Sequence, residues 1–290
     1  MRILVLGGDG MLGHKLLLHL SARHDIRVTL RRGLADYAEH GLFQQGNAYP
    51  DVDVRSSQRL IEVLADFHPE VVINAVGVVK QRAAAKLAIP SIEINALLPH
   101  RLALLTRAID ARLVHISTDC VFSGRTGEYT EASPSDAEDL YGKSKFLGEV
   151  SDEGCITLRT SIIGRELSRK TGLLEWFLAQ REPIKGYTKA IYSGLTTQEL
   201  ARVIEHLLTQ FPRADGLYHV SSEPISKYDL LMAIRDALGI KIDIVADAEL
   251  HCDRSLISDR FRQEFGYLPP SWQAMVDELA QEIKGTSNDL

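Results

Sequence analysis

The stretch RILVLGGDGMLGHKLLLHL, residues 2–20, joins an apolar run of strand length to a glycine-rich turn and then to a helical pattern. Leu12, Leu16, Leu17 and Leu20 fall on one face of that helix, which the pattern places over residues 11–23. The glycines between the two elements fit either of two spacings, Gly7-Gly10-Gly13 or Gly8-Gly10-Gly13. Both answer the same physical need: a tight turn, backbone that approaches a ligand without a Cβ in the way, and helix N–H groups aimed at an anion. A strand, this turn and a helix at the start of a chain predict a dinucleotide pyrophosphate site made by Gly7, Gly10, Met11, Leu12 and Gly13. The motif alone leaves a plain glycine-rich turn as the alternative.

Outward from this turn, strand-length apolar runs alternate with helical patterns. Strands are expected at 27–30, 70–77, 112–118 and 155–162, and helices at 56–67, 92–109 and from Tyr141 to Val150. The segment DVDV, 51–54, is expected to end the third strand, with Asp53 and Val54 at the adenine edge and Asp51 as the other register. This rhythm predicts an α/β fold, a Rossmann-type doubly wound parallel sheet covered on both faces. It covers residues 1–164, after which the pattern becomes irregular, with helices at 197–209 and 227–238. A smaller C-terminal substrate lobe is expected over 165–189 and 223–290, the chain returning to the sheet within 190–222.

The 290 residues are 45% hydrophobic and 25% charged, and the formal net charge is −6. No global basic field favours nucleic acid or an anionic membrane, so neither is expected as a partner. Cys120, Cys155 and Cys252 are odd in number and widely spaced, which fits neither a disulfide framework nor a zinc pattern. The opening MRILVLGG is too short for a signal h-region, and no apolar run has the ~18 residues of a membrane span. A cytoplasmic protein is the expectation.

At the end of the second strand, where Asp or Glu would accept from a ribose 2′-hydroxyl, the sequence reads LRRG. Arg31 and Arg32 would attract a 2′-phosphate, so NADP(H) is preferred and NAD(H) is the alternative. An arginine pair on a solvated turn is the other reading. The strand RLVHISTD, 112–119, should deliver Ser117, Thr118 and Asp119 to the carboxyl edge of the sheet. In LYGKSKFLGE, 140–149, Tyr141 and Lys145 stand four apart on one helical face. A neighbouring ammonium favours the phenolate of Tyr141 and so eases proton exchange, while Thr118 can hydrogen-bond the same substrate oxygen. The bland reading is a polar pair on a solvated surface.

The elements GGDGMLG (7–13), INAVG (73–77), IEINALLPH around Asn95, ISTDCVFSG (116–124) and YGKSK (141–145) together resemble the extended short-chain dehydrogenase/reductase family. The resemblance implies that Tyr141 is the general acid/base, that Lys145 lowers its pKa and holds the nicotinamide ribose, and that Thr118 positions the substrate oxygen. It also implies cofactor contacts at Asn74, Ala75 and Val76. The segments STDCVFSGRTGEYTEASP (117–134), LRTSIIGRE (158–166) and DRSLISDRF (253–261) are similar to those of dTDP-4-dehydrorhamnose reductases and related nucleotide-sugar 4-ketoreductases. That branch implies NAD(P)H-dependent reduction of a 4-keto-6-deoxyhexose carried on a nucleoside diphosphate, in deoxysugar and surface polysaccharide biosynthesis.

The chain departs from the branch where the sugar and nucleotide are read. Cys120 replaces an aromatic residue after STD, Ile162 replaces a Trp, and AVGVVKQ brings Lys80 and Gln81 to a segment that is usually AAAYT. Lys80, Asp119, Cys120, Ile162, Tyr192 and Arg254 are therefore the candidate substrate contacts. Arg159 and Arg165 are further diphosphate candidates, each with a structural salt bridge as its alternative. Trp176 reads as helix packing. No carboxylate cluster suggests a metal, and a homodimer is a candidate assembly. Two other functions stay open: an epimerase on the same scaffold and a non-catalytic NADP-binding regulatory subunit. A dehydratase is disfavoured because Cys120 stands where it would carry Glu.

Overall fold

The computed structural model describes residues 1–79, 87–168 and 170–287. The first half runs β1 (Arg2–Leu6), α1 (Gly13–Leu20), β2 (Asp25–Thr29), β3 (Ala48–Tyr49), α2 (Ser57–Phe67) and β4 (Val71–Asn74). Next come α3 (Ala88–Ser91), a π-helical stretch (Ile92–Leu97), α4 (Leu98–Ala108), β5 (Arg112–Ile116), α5 (Leu140–Leu147) and β6 (Cys155–Arg159). Then follow β7 (Ile162–Ile163), α6 (Leu173–Leu178), β8 (Ile184–Tyr187), β9 (Ala190–Tyr192), β10 (Leu195–Thr196), α7 (Thr197–Gln210) and β11 (Gly216–His219). The chain ends with β12 (Ile225–Ser226), α8 (Lys227–Leu238), β13 (Ile244–Asp247), β14 (Cys252–Asp253), α9 (Asp259–Phe265) and α10 (Trp272–Ser287).

β1 and β4 read as near-continuous apolar runs because both faces are covered. β5 and β6 are buried on both faces as well, with His115 and Thr157 among their buried residues. Seven strands form one sheet in the order β11-β6-β5-β4-β1-β2-β3. The pairs from β6 to β3 are parallel, with Val5 beside Val28 and Ile73, and Ile73 beside Val114. Strand order reverses on either side of β1, and a parallel sheet opens a crevice at its carboxyl edge at such a point. Leu4, Leu6, Val63, Leu64, Phe67, Val72, Leu102 and Leu113 pack together as a core beside the sheet. α2 starts at Ser56, whose side chain accepts from the Arg59 N–H at 3.2 Å, and ends at His68 with φ 50°.

The chain divides into two compact units. The first comprises Met1–Thr118, Glu138–Arg159 and Ala201–Tyr218; the second comprises Asp119–Ala137, Thr160–Leu200 and His219–Leu290. These boundaries differ from the expected break at residue 164. Asp119–Ala137 clusters with the C-terminal residues because Tyr129 bridges Leu256, donating its N–H to the Ser255 carbonyl at 2.9 Å and accepting from the Ile257 N–H at 2.8 Å. Within the second unit, β9 lies between β12 and β14, and β8 pairs with β13. α6, α8 and α10 enclose an apolar cluster that includes Leu174, Phe177, Leu230, Ile234, Val276 and Leu279.

The third strand is shorter than expected. β3 stops at Tyr49, and Asp51 adopts φ 54°, so residues 51–54 form the turn after the strand rather than its end. Among the described residues no helix is long and apolar enough to cross a membrane.

Candidate active site

The glycine turn resolves into one spacing. Gly7 has φ +87°, a conformation open to glycine, and its N–H donates to the Thr29 Oγ1 at 3.1 Å. A Cβ on Gly13 would run into the Gly7 carbonyl, so the helix lies against the strand only because that position has none. A Cβ on Gly10 would meet nothing but the Gly7 oxygen, at 3.2 Å. Gly7 therefore makes the turn, Gly10 leaves backbone open to a ligand, and Gly13 allows close packing. Gly8 is needed for a different reason: a Cβ there would collide with Val28 on β2. Leu12 stands at the helix N-cap with no side-chain bond to the first-turn N–H groups, which fits an anion such as a pyrophosphate.

Arg31 and Arg32 follow β2 and are exposed. Beyond β3, the Asp53 carboxylate accepts from Arg55, whose hydrogen bonds hold it below the usual carboxylate range, with Arg31 adding to the effect. Val54 and Val76 pack against the same core from two different turns. Asn74, fully buried at the end of β4, accepts the Val76 N–H at 3.2 Å and lies 3.1 Å from the His115 Nδ1. Burial, then the Lys145 and His100 charges, keep His115 well below its ordinary pKa. The neutral ring thus accepts from the Asn74 amide and fixes the side chain that shapes the 74–76 turn. The Ala75 N–H donates to the Leu6 carbonyl at 3.2 Å, which holds this turn to β1.

The three catalytic candidates all lie in the first unit. β5 ends at Ile116, and Thr118 is buried two residues beyond. Asp139 caps α5 by accepting the Gly142 N–H at 2.8 Å, which sets Tyr141 in the first turn. One turn later Lys145 is only 4% exposed, and its Nζ donates to the Ile116 carbonyl at 2.6 Å. That bond holds α5 to the carboxyl end of β5. Burial pushes the Lys145 pKa down to about 8, opposed by the charge of Glu149. A phenol with an ammonium one turn away and a hydroxyl at the neighbouring strand end can exchange a proton with a carbonyl oxygen and stabilise charge on it.

Asn95 carries a role that the sequence reading did not assign. It lies in the π-helical stretch, donates to the Val78 carbonyl at 3.0 Å, accepts the Val78 N–H at 2.8 Å and donates to the Ser144 Oγ at 3.2 Å. The Ser144 hydroxyl in turn donates to the Tyr141 carbonyl at 3.0 Å. A Cβ on Gly148 would strike the Asn95 carbonyl, so α5 can approach this segment only with glycine there. The extra residue in a π-helical turn leaves no periodic signature; a buried Asn in the segment IEINAL was the available signal.

The candidate substrate residues are placed unevenly. Asp119 is buried in the second unit, its N–H donating to the Thr160 carbonyl at 3.3 Å. Tyr192 is 8% exposed, packs in the apolar cluster and tilts against Trp272 at 5.5 Å. Burial, then the charge of Asp119, drive the Tyr192 phenol far above its ordinary value. Ile162 pairs with Leu195 between β7 and β10, and Cys120 is half-buried and in no disulfide. Arg254 binds the Phe122 and Ser123 carbonyls at 2.8 and 3.1 Å, and so fastens the 119–124 segment. Lys80 lies outside the described residues.

Two phosphate candidates are engaged in ion pairs. Arg159 is buried and bonded through two nitrogens to Glu149, and Arg165 donates to the buried Glu175 at 2.7 Å. Trp176 is 41% exposed rather than packed in its helix. Among the described residues no group of His, Cys, Asp and Glu is arranged to hold a metal ion.

Known proteins resemble this chain over nearly its whole length. The spore coat polysaccharide biosynthesis protein SpsK of Bacillus subtilis (strain 168) is 27% identical, over 97% of this chain and 97% of its own. A dTDP-4-dehydrorhamnose reductase of Aggregatibacter actinomycetemcomitans is 26% identical, over 96% of this chain and 98% of its own. The crystal structure of a hypothetical dTDP-4-dehydrorhamnose reductase from Sulfolobus tokodaii superposes with a TM-score of 0.77 at 26% identity, covering 95% of this chain and 99% of that one. The family model of the RmlD substrate binding domain matches residues 1–284, and the chain belongs to that family.

Proposed function

We propose that the protein is an NADP(H)-dependent reductase of a nucleoside diphosphate-linked 4-keto-6-deoxyhexose, of the dTDP-4-dehydrorhamnose reductase type. The observation that carries this reading is the bond from Lys145 to the Ile116 carbonyl, which sets the Tyr141 helix against the strand end that bears Thr118. The full-length likeness to a dTDP-4-dehydrorhamnose reductase and to a polysaccharide biosynthesis protein supports it.

The residues at the glycine turn fit a dinucleotide, since Gly10 leaves its backbone open and no side chain caps the start of α1. NADPH held at this turn would supply a hydride for the keto carbon. Tyr141 donates its phenolic proton to the keto oxygen. Lys145, cationic below about pH 8, favours the phenolate that remains. Thr118 donates a hydrogen bond to the same oxygen and stabilises the charge that develops there. Arg31 and Arg32 take a 2′-phosphate, and Asp119, Cys120, Ile162, Tyr192 and Arg254 belong to the lobe that reads the sugar.

The test follows NADPH oxidation at 340 nm with dTDP- and UDP-linked 4-keto-6-deoxysugars, with NADH as competitor. Turnover of one sugar is expected. NADPH binding without oxidation across a verified panel would overturn the reading and favour a regulatory subunit; sugar interconversion without net oxidation would favour an epimerase.

A further inference from the structure

The carboxylate of Glu149 lies two residues beyond the end of α5, four after Lys145 and eight after Tyr141. It is 7% exposed and paired with Arg159, itself 4% exposed. Oε1 accepts from the Ser117 hydroxyl at 2.7 Å and from Arg159 Nε at 2.8 Å, while Oε2 accepts from Arg159 Nη2 at 2.7 Å. The position is unfavourable for an anion, because the negative end of a helix dipole points at it. Nor does stability explain the pair, since apolar replacements of buried ion pairs are often neutral or stabilising.

The strand end supplies a reason. Ile116 accepts from Lys145, Ser117 donates to Glu149, and Thr118 follows directly. The end of β5 is thus gripped twice by the α5 segment, immediately before the residue that meets substrate. We propose that Glu149 is a positioning residue for the reaction: clamped by Arg159, it fixes the Ser117 hydroxyl beside Thr118 and supplies the counter-charge for the buried ammonium of Lys145. The roles of Lys145 and Thr118 in this statement rest on the ketoreductase reading.

Charges around Lys145 favour this assignment. Burial lowers its pKa, and Glu149 is the group that raises it. On β5, His115 is fully buried and held neutral. On α5 itself Tyr141 is one turn away. On β6 the one cation is Arg159, which is spent on Glu149. His100 on α4 is turned to the Leu147 carbonyl at 2.8 Å.

The experiment is a pH titration of Lys145 by NMR in the full chain labelled with [13Cε]lysine, the Lys145 signal being assigned by its loss in K145R. E149Q keeps an acceptor for Ser117 but removes the charge, and should lower the Lys145 midpoint by about half to one pH unit. E149D should restore the wild-type midpoint, and R159Q should raise it by unmasking the carboxylate. S117A should leave the midpoint in place and lower kcat about tenfold with an unchanged NADPH affinity.

A folded E149Q with the wild-type midpoint overturns the proposal. Should E149Q not fold, an unmoved midpoint in R159Q overturns it instead. The titration needs no turnover, so a wild type that binds NADPH without reducing any sugar defeats the ketoreductase reading while Glu149 is still judged on Lys145.

Discussion

Asn95 and Val78 exchange two hydrogen bonds, the Val78 N–H to the Asn95 Oδ1 at 2.8 Å and the Asn95 Nδ2 to the Val78 carbonyl at 3.0 Å. The remaining amide hydrogen goes to Ser144 on α5. One side chain in the π-helical stretch therefore ties the segment after β4 to the helix that carries Tyr141 and Lys145, and leaves none of these buried groups to water.

Truncating Asn95 leaves the Val78 N–H and carbonyl without their partner in a buried place, where each unsatisfied group costs about 1–3 kcal/mol. N95A should lose about 2–4 kcal/mol in urea unfolding. Its loss of turnover should exceed what the fraction unfolded explains, because α5 loses one of its anchors. A stability loss below about 1 kcal/mol would mean that Val78 and Ser144 find other partners.

Tyr141 offers a cleaner separation of chemistry from structure. Ser144 bonds to the Tyr141 carbonyl, a contact that phenylalanine retains. Y141F should lower kcat by about 100- to 10,000-fold, the usual worth of a positioned general acid, with melting temperature and NADPH affinity unchanged. Retained turnover would assign the proton to another group.

How much of this was legible in the sequence differs from residue to residue. The first strand, the glycines and α1 were readable because each requirement is local: an apolar run, a turn with φ > 0 at Gly7, and a helix face of leucines. The choice between two glycine spacings was not, because it depends on where the Gly7 carbonyl lies relative to Gly13. Arg159 stayed open between a phosphate ligand and a salt bridge because its pairing with Glu149 is set by how the α5 segment lies on β6, which no periodicity reports. That residues 119–137 cluster with the C-terminal residues was not legible, because the Tyr129–Leu256 bridge closes a loop of more than a hundred residues. The third strand was overdrawn because the turn at Asp51 needs a left-handed backbone that the residue type only permits.

Lys145 makes stability and activity respond oppositely to pH. Its folded pKa of about 8 lies below the ordinary 10.5, so below pH 8 the folded chain buries a charge that the unfolded chain keeps in water. Between about pH 8 and 10.5 the unfolded state binds the extra proton, and stability from this group rises with pH. Wild type should therefore gain about 2 kcal/mol of stability relative to K145M between pH 7 and pH 9.5. Over the same range wild-type turnover should fall about tenfold per pH unit as the ammonium is lost. A stability difference that does not change with pH would place the Lys145 titration outside this window.

Arg31 and Arg32 are exposed after β2, where a 2′-phosphate on the adenosine ribose would be met. A phosphate dianion between two guanidiniums gains charge-assisted bonds, each worth about 1.5–3 kcal/mol in a protected site and less here, where water screens both partners. R31A/R32A should therefore weaken NADPH binding about 10- to 100-fold while NADH affinity changes less than about threefold. Raising ionic strength should erode the wild-type preference for NADPH in the same direction, because exposed charge pairs are screened within about 10 Å at 0.1 M salt. Isothermal titration with both cofactors at two salt concentrations reads all four quantities. An equal loss for NADH and NADPH would mean that the arginines serve the turn or the pyrophosphate, and the discrimination between the cofactors would then have to come from the Asp53–Arg55 turn beside them.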